Sequence, residues 1–381
     1  MDPQDSTLTQ LIFASDSKLL PDPIREVLQK VQDSANYMPA DQLDDVMKGN
    51  LGSGWRSLFS SFGQIPIAAA SIGQVHSATL ASNGEPVAVK VQYPGVKDSI
   101  VSDLSNLSML LHATRLLPKG LYLDKTIGNA RRELAWECDY IREAECGTRF
   151  RKLLSDQTDI FTVPQVFQEA SGAQVLTAQL LPGLAVTRLP ELSQDRRDWI
   201  GEQILRLCLR EIMEFRFMQT DPNWTNFLYD PEHQKLGLLD FGASREYSAS
   251  FIERYVRLLQ AASVGDRELV RDLSIQLGYL TGYESSAMLN AHVDSVMILA
   301  EPFSQKQRAG SQYDFREQTI TERIKDLVPV MLRERLAPPP DETYSLHRKL
   351  SGAFLLCARL GSKIRCRDMF LASIDKAAAH S

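Results

Sequence analysis

Three oxygen-bearing side chains stand at fixed intervals in the second half of the sequence. Asp221 is followed five positions later by Asn226, and Asp240-Phe241-Gly242 begins fourteen positions after that asparagine. Carboxylate and carboxamide oxygens are the hard ligands that Mg²⁺ accepts in small number, sharing the ion with water and phosphate oxygens. A further carboxylate can orient an attacking water or hydroxyl. A fourth residue, Lys90, closes the apolar run Val87-Ala88-Val89-Lys90 and supplies a point charge for the α- and β-phosphates of a nucleotide. The chemistry these four permit is magnesium-dependent phosphoryl transfer or ATP hydrolysis. Asp221 would be the orienting carboxylate, Asn226 and Asp240 the metal ligands, and ATP or ADP the bound nucleotide.

Each element alone is weak, because an aspartate near an asparagine is usually a loop or helix cap and Asp-Phe-Gly occurs as a turn. The ordered set is specific: D-x-x-x-x-N, then D-F-G, preceded by V-A-x-K, is the spacing of a kinase fold. A lysine withdrawn from water needs a counter-charge to keep its proton. Glu137, 47 residues later on a helical pattern, can supply it, and Glu133 is the competing choice one turn earlier. A glycine-rich phosphate loop is missing. In its place stands Pro66-Ile67-Ala68-Ala69-Ala70-Ser71-Ile72-Gly73-Gln74, in which only Gly73 has full backbone freedom. The candidate nucleotide contacts are therefore Ala68, Ala69, Ala70, Ser71 and Gly73. Leu180 and Leu181, ahead of Pro182-Gly183, sit where a hinge would offer backbone groups to adenine. Trp224 lies within the Asp221 loop, while Trp55, Trp136 and Trp199 read as packing residues.

The elements that must position these residues follow from periodicity. Pro21 to Val31 and Asp41 to Gly49 read as short amphipathic helices, the second with Asp41 as its cap. Strands over about 71–80 and 86–93, joined by Ala81-Ser82-Asn83-Gly84-Glu85, form a hairpin that holds Lys90. Helical patterns run from about Asp98 to Leu117 and, unbroken, from about Lys125 to Leu154. Strands are expected again over about 160–167 and 173–180. The remainder is mostly helical apart from a strand pair around Phe227 to Leu239, and a last helix starts at Asp341 after Pro338-Pro339-Pro340.

Composition sets the limits. The 381 residues suffice for two lobes, and 44% hydrophobic with 24% charged residues is ordinary globular usage. A net charge of -6 argues against a nucleic-acid partner. Five cysteines without a C-x-x-C pair suit a reducing compartment, and six scattered histidines give no zinc pattern. No apolar run approaches the roughly 18 residues of a membrane span. The pairs Arg131-Arg132 and Arg196-Arg197 read as solvated helix faces, with anionic lipid head groups as the alternative ligand.

Ala68-Ala69-Ala70-Ser71-Ile72-Gly73-Gln74-Val75-His76, Glu137-Cys138-Asp139-Tyr140, Gln219-Thr220-Asp221-Pro222-Asn223-Trp224 and Leu239-Asp240-Phe241-Gly242-Ala243 together resemble the UbiB family of atypical kinases, over about residues 20–370. The Gln-Thr-Asp form of the loop is similar to the mitochondrial branch that supports coenzyme Q (ubiquinone) biosynthesis. The resemblance implies an α+β, two-lobed protein-kinase-like fold. Its parts would be an N-terminal helical extension (1–60), a small β-containing N-lobe (61–182) and a mainly helical C-lobe (183–381). It also implies an alanine-rich nucleotide loop, a Glu-x-Asp motif at Glu137 and Asp139, Lys90 held by Glu137, and ATPase rather than protein-kinase activity. The expected place is the matrix side of the inner mitochondrial membrane, with the lipid surface and ubiquinone-biosynthesis enzymes as partners. The family's K-x-G-Q motif has its best match at Thr7-Leu8-Thr9-Gln10, where threonines replace the lysine and glycine. A nucleotide-sensing scaffold is the second reading. A protein kinase is the third, disfavoured because no A-P-E element follows Asp240-Phe241-Gly242.

Overall fold

A computed structural model describes residues 37–70, 72–99, 102, 105–106, 109, 122–221, 223–308 and 310–379. The expected helix at Pro21 to Val31, the Thr7–Gln10 match, Ser71, and most of the expected 98–117 helix lie outside these. The chain falls into two compact units. Of the described residues, those within 1–115, 126–183 and 237–243 make up the first, and those within 116–125, 184–236 and 244–381 the second. The short run 237–243, far along the sequence, thus belongs with the first unit rather than with the segments that flank it.

In the first unit, helix α1 (Ala40–Leu51) buries Leu43, Val46 and Met47. Its N-cap is Pro39, so Asp41 sits inside the first turn, where its charge favours the helix dipole. The helix passes through Gly49 and stops at Gly52, whose φ of 87° is one a side chain would resist. Strands β1 (Phe59–Phe62), β2 (Ala68–Ala70), β3 (Gly73–Leu80) and β4 (Pro86–Gln92) follow. With β6 (Val175–Gln179) they form an antiparallel sheet in the order β1-β3-β4-β6, with β2 on β3. Period-two alternation turns Val87, Val89 and Val91 into a core with Met47, Trp55, Leu80, Phe167 and Val175. Lys90, one position out of phase, must point to the opposite face.

The helical pattern read as continuous from Lys125 to Leu154 is two helices, α2 (Leu123–Glu137) and α3 (Tyr140–Leu153). The break comes from Asp139, whose side chain accepts the Arg142 backbone N–H and starts a new helix. Of the expected 160–167 strand only β5 (Phe161–Thr162) and a bridge at Val166 form. Pro164 lacks the N–H that a longer ladder would need.

The second unit opens with β7 (Leu184–Ala185) and α4 (Gln194–Arg210). The chain then makes a π turn (Glu211–Phe215) and continues as β8 (Phe217–Gln219), β9 (Phe227–Asp230) and, after β10 (Lys235–Leu238), whose last two residues count with the first unit, β11 (Ser244–Glu246). Strand β7 pairs with β9, and β8 with β11, both antiparallel. The helices are α5 (Ala249–Val264), α6 (Arg267–Gln276), α7 (Ser286–Leu299), α8 (Ile320–Glu334), α9 (Asp341–Leu360) and α10 (Cys366–Ala379), with β12 (Tyr313–Asp314) and β13 (Lys363–Ile364) pairing among them. The core gathers Leu205, Tyr255, Leu258, Phe303, Leu350 and Phe354. All five cysteines are buried free thiols. Among the described residues no helix is long and apolar enough to cross a membrane.

Candidate active site

The candidate residues fall into two groups, one in each unit. In the first unit Lys90 stands mid-strand on β4, opposite Val75 of β3 and Leu176 of β6. Its Nζ lies 2.9 Å from each carboxylate oxygen of Glu143 and 3.2 Å from Asp240 Oδ2. The Tyr140 ring lies beneath it, 5.0 Å from centroid to ammonium. Glu143 is buried and Asp240 about one-third exposed. Burial alone would depress the Lys90 ammonium, but Asp240 and Glu143 outweigh it and hold the pKa well above the usual lysine value. Burial pushes the Glu143 carboxyl up to about 7, with Lys90 acting against that shift. Two carboxylates thus share one ammonium where water is largely excluded.

Glu137, the expected partner of Lys90, does not hold it. Glu137 ends α2, and its Cα lies 3.6 Å from where a Cβ on Gly242 would stand. Because Asp139 caps a fresh helix, the helical phase resets and Glu143, one turn into α3, faces the lysine. The sequence did contain this signal, an aspartate able to cap four residues ahead of a glutamate. Gln92, buried at the end of β4, donates to the Cys138 carbonyl at 3.1 Å and ties the break to the lysine's strand.

The segment Asp240-Phe241-Gly242 is fixed from several sides. Asp240 adopts a left-handed backbone (φ 56°) that a short carboxamide or carboxylate tolerates best. Its Oδ1 accepts the Gly242 N–H at 3.1 Å. The Phe241 ring packs 5.1 Å from Phe150 and against Gly147, where a Cβ would come within 3.2 Å of it. Arg142, stacked 4.5 Å over Trp136, donates to the Gly242 carbonyl at 2.6 Å. Arg142 and Glu143 are the residues that motif spacing missed, and Tyr140 stood in a motif without an assigned role.

Ala68–Ala70 forms a strand with Ala70 opposite Gly73, so the alanine-rich segment is one arm of a tight hairpin. Gly73 owes its identity to crowding: its φ is not positive, but a Cβ would fall 2.3 Å from the Val91 carbonyl oxygen. The Leu180 N–H is already given to the Pro86 carbonyl at 3.0 Å, and Leu181 is buried.

In the second unit Asp221 is oriented by its own loop. Oδ2 accepts from Asn226 Nδ2 at 2.8 Å and Oδ1 from the Asn223 N–H at 3.1 Å. Asn223 in turn accepts from the Thr225 N–H and hydroxyl. Trp224 donates its indole N–H to the Gly352 carbonyl of α9 at 3.1 Å, so it anchors the loop.

Residues 30–274 match the ABC1 atypical kinase-like domain. The chain is 53% identical over 361 residues to "Atypical kinase COQ8, mitochondrial" of Saccharomyces cerevisiae, covering 95% of this chain and 71% of that protein. It is 54% identical to the protein of that name from Schizosaccharomyces pombe and 48% identical to "Atypical kinase COQ8B, mitochondrial" of Danio rerio, and spans 58% and 57% of their lengths. The fold is shared with the Rv3197–erythromycin complex of Mycobacterium tuberculosis, at a TM-score of 0.65 and 24% identity, over 94% of this chain and 89% of that one. The chain belongs to the ABC1 atypical kinase-like family.

Proposed function

We propose that this chain binds a magnesium nucleotide and carries out phosphoryl transfer or ATP hydrolysis in support of ubiquinone (coenzyme Q) biosynthesis. The observation that carries this reading is Lys90, protonated and sequestered, between Glu143 and Asp240. A cation so held suits the α- and β-phosphates of a nucleotide. Asp221, both of whose carboxylate oxygens are fixed, is suited to orient a water or a hydroxyl. Asn226 gives its amide nitrogen to Asp221, which leaves the carboxamide oxygen for a cation. Asp240 offers a partly exposed carboxylate. Both donors are hard oxygens that fit Mg²⁺. When bound, the ion would neutralise charge on the phosphate chain.

Ala68, Ala69, Ala70, Ser71 and Gly73 are proposed to cover the phosphates. A paired strand bearing Cβ atoms offers fewer open amides than a glycine loop. The Leu180 carbonyl and the Leu181 amide are proposed for adenine, since the Leu180 amide is spent within the sheet. Relatives named mitochondrial support a place in the mitochondrion. The matrix face of the inner membrane is the proposed position, with lipid and ubiquinone-biosynthesis enzymes as partners and no nucleic acid.

The test is phosphate release by purified protein with Mg-ATP, with and without anionic liposomes and a phenol resembling a ubiquinone precursor. Stimulation by either addition supports the reading. Asp221→Asn is expected to lower turnover by roughly 10²- to 10⁴-fold while leaving the Mg-ADP thermal shift in place. Unchanged turnover removes Asp221 from its role. Ubiquinone synthesis restored by Asp221→Asn in cells lacking the S. cerevisiae relative would favour a nucleotide-sensing scaffold instead.

A further inference from the structure

Behind the Asp221 loop, within the second unit, three polar side chains are each more than nine-tenths buried: Glu211, Lys349 and Gln219. Lys349 Nζ lies 3.2 Å from Glu211 Oε2 and 3.3 Å from Gln219 Oε1. The Gln219 backbone N–H donates to Glu211 Oε1 at 3.4 Å. Gln219 is therefore gripped twice, by its side chain and by its main chain, two residues before Asp221. Lys349 Nζ also stands 5.8 Å from the centroid of the Phe227 ring, and Phe227 directly follows Asn226. One lysine thus touches both stems of the loop that runs from Gln219 to Phe227. Gly352, whose carbonyl receives the Trp224 indole, lies three positions along α9 and so on the same helical face.

Stability alone does not explain the ion pair. Taking two charges out of water costs several kcal/mol per ion, and a packed apolar pair of similar volume is often as stable or more so. The approach to the loop is also costly. Glu211 opens a π turn, and Arg216, a residue with a Cβ, reverses the chain into β8 with a left-handed φ of 51°. Such conformations persist where the surroundings dictate them, commonly at functional sites. Strand β8 then pairs Gln219 with Ser244, four positions after Asp240 in the sequence.

We propose that Lys349 is the positioning residue of the Asp221 loop: through Gln219 and Glu211 it fixes the strand from which Asp221 emerges, and through Phe227 the return stem behind Asn226. The proposal rests on the role given to Asp221 above. Lys349 is buried and acts through Glu211, Gln219 and Phe227, so its removal should act on the chemical step rather than on nucleotide binding.

The test uses the full chain and three variants beside the parent, measuring kcat and KM for Mg-ATP hydrolysis, the Mg-ADP thermal shift and the melting temperature. Lys349→Met/Glu211→Gln removes both charges together and keeps an acceptor for the Gln219 amide, so no lone charge is buried. Gln219→Met keeps the ion pair and removes only the side chain that Lys349 holds. Because small misplacements of a reacting group cost up to about a hundredfold, kcat is expected to fall at least about tenfold in each, with KM within about twofold. Joining all three substitutions should cost no more than either variant alone, since they cut one connection.

Turnover within twofold of the parent in either variant overturns the proposal. So does a parallel loss of kcat, nucleotide affinity and melting temperature, which would mark general loosening, and so do additive losses. Asp221→Asn, measured alongside, separates the two readings. If it retains full turnover, the role of Asp221 falls and the proposal falls with it. If it is inactive while the Lys349 variants are not, only the positioning role is lost.

Discussion

Lys90 faces two carboxylates, and the more deeply buried of them titrates within the physiological range. Protonating Glu143 removes negative charge from beside the ammonium, so Lys90 is held fully only above the Glu143 pKa of about 7. Turnover is therefore expected to fall as pH drops below about 7. Glu143→Gln should abolish that acidic limb and leave turnover low throughout, by roughly 10²-fold at pH 8. A pH series of kcat for the two proteins checks this, and a parent profile that stays flat from pH 8 to pH 5.5 would contradict it. Lys90 and Asp240 were legible because each sits inside a short motif whose spacing is local. Glu143 was not, because its identity depends on a helix phase set by another residue.

That phase is a matter of elements. Continuous apolar periodicity from Lys125 to Leu154 suggested one helix, which left Glu133 and Glu137 as alternatives, and the family resemblance favoured Glu137. The Asp139 cap interrupts that helix, since a side-chain acceptor for a free N–H offers more than one further turn across Cys138. Asp139→Ala should cost the first unit about 1 kcal/mol. Because it also frees the start of α3, the KM for ATP should rise alongside the fall in melting temperature. A variant that melts earlier with unchanged KM would make Asp139 a cap and nothing more. The β3–β4 hairpin and the helix from Asp341 could be read from sequence because their turn residues and prolines act locally. The shortness of β5 and the crowding at Gly73 could not, because they depend on what lies across the sheet.

At the scale of the whole molecule, the helical unit holds one buried histidine, His292, and one partly buried, His347, that the acidic range will find. Burial, then Arg335 and His347, depress His292 to about 3, and burial with Arg335 depresses His347 to about 4. Both have an ordinary value of 6.5. Unfolded chains take up these protons below pH 6.5 while the folded form does not, so this contribution is present above pH 6.5 and lost as pH falls toward 4. For His347 the loss is on the order of 3 kcal/mol. Its ring lies 6.1 Å from both Tyr255 and Tyr279, so His347→Phe should keep the packing and flatten the fall in melting temperature over that range. An equally steep fall in the variant would assign the acid sensitivity elsewhere. The division into two lobes was expected as consecutive stretches of chain, yet residues 237–243 belong to the first unit. A ribosome that has released residues 1–183 has supplied the sheet, Lys90 and Glu143, but neither Asp240 nor the Phe241 ring that packs on Gly147 and Phe150. The N-terminal unit therefore waits for more than fifty further residues before its charged cluster is complete, and through that interval of synthesis Glu143 is the lysine's one carboxylate in the cluster.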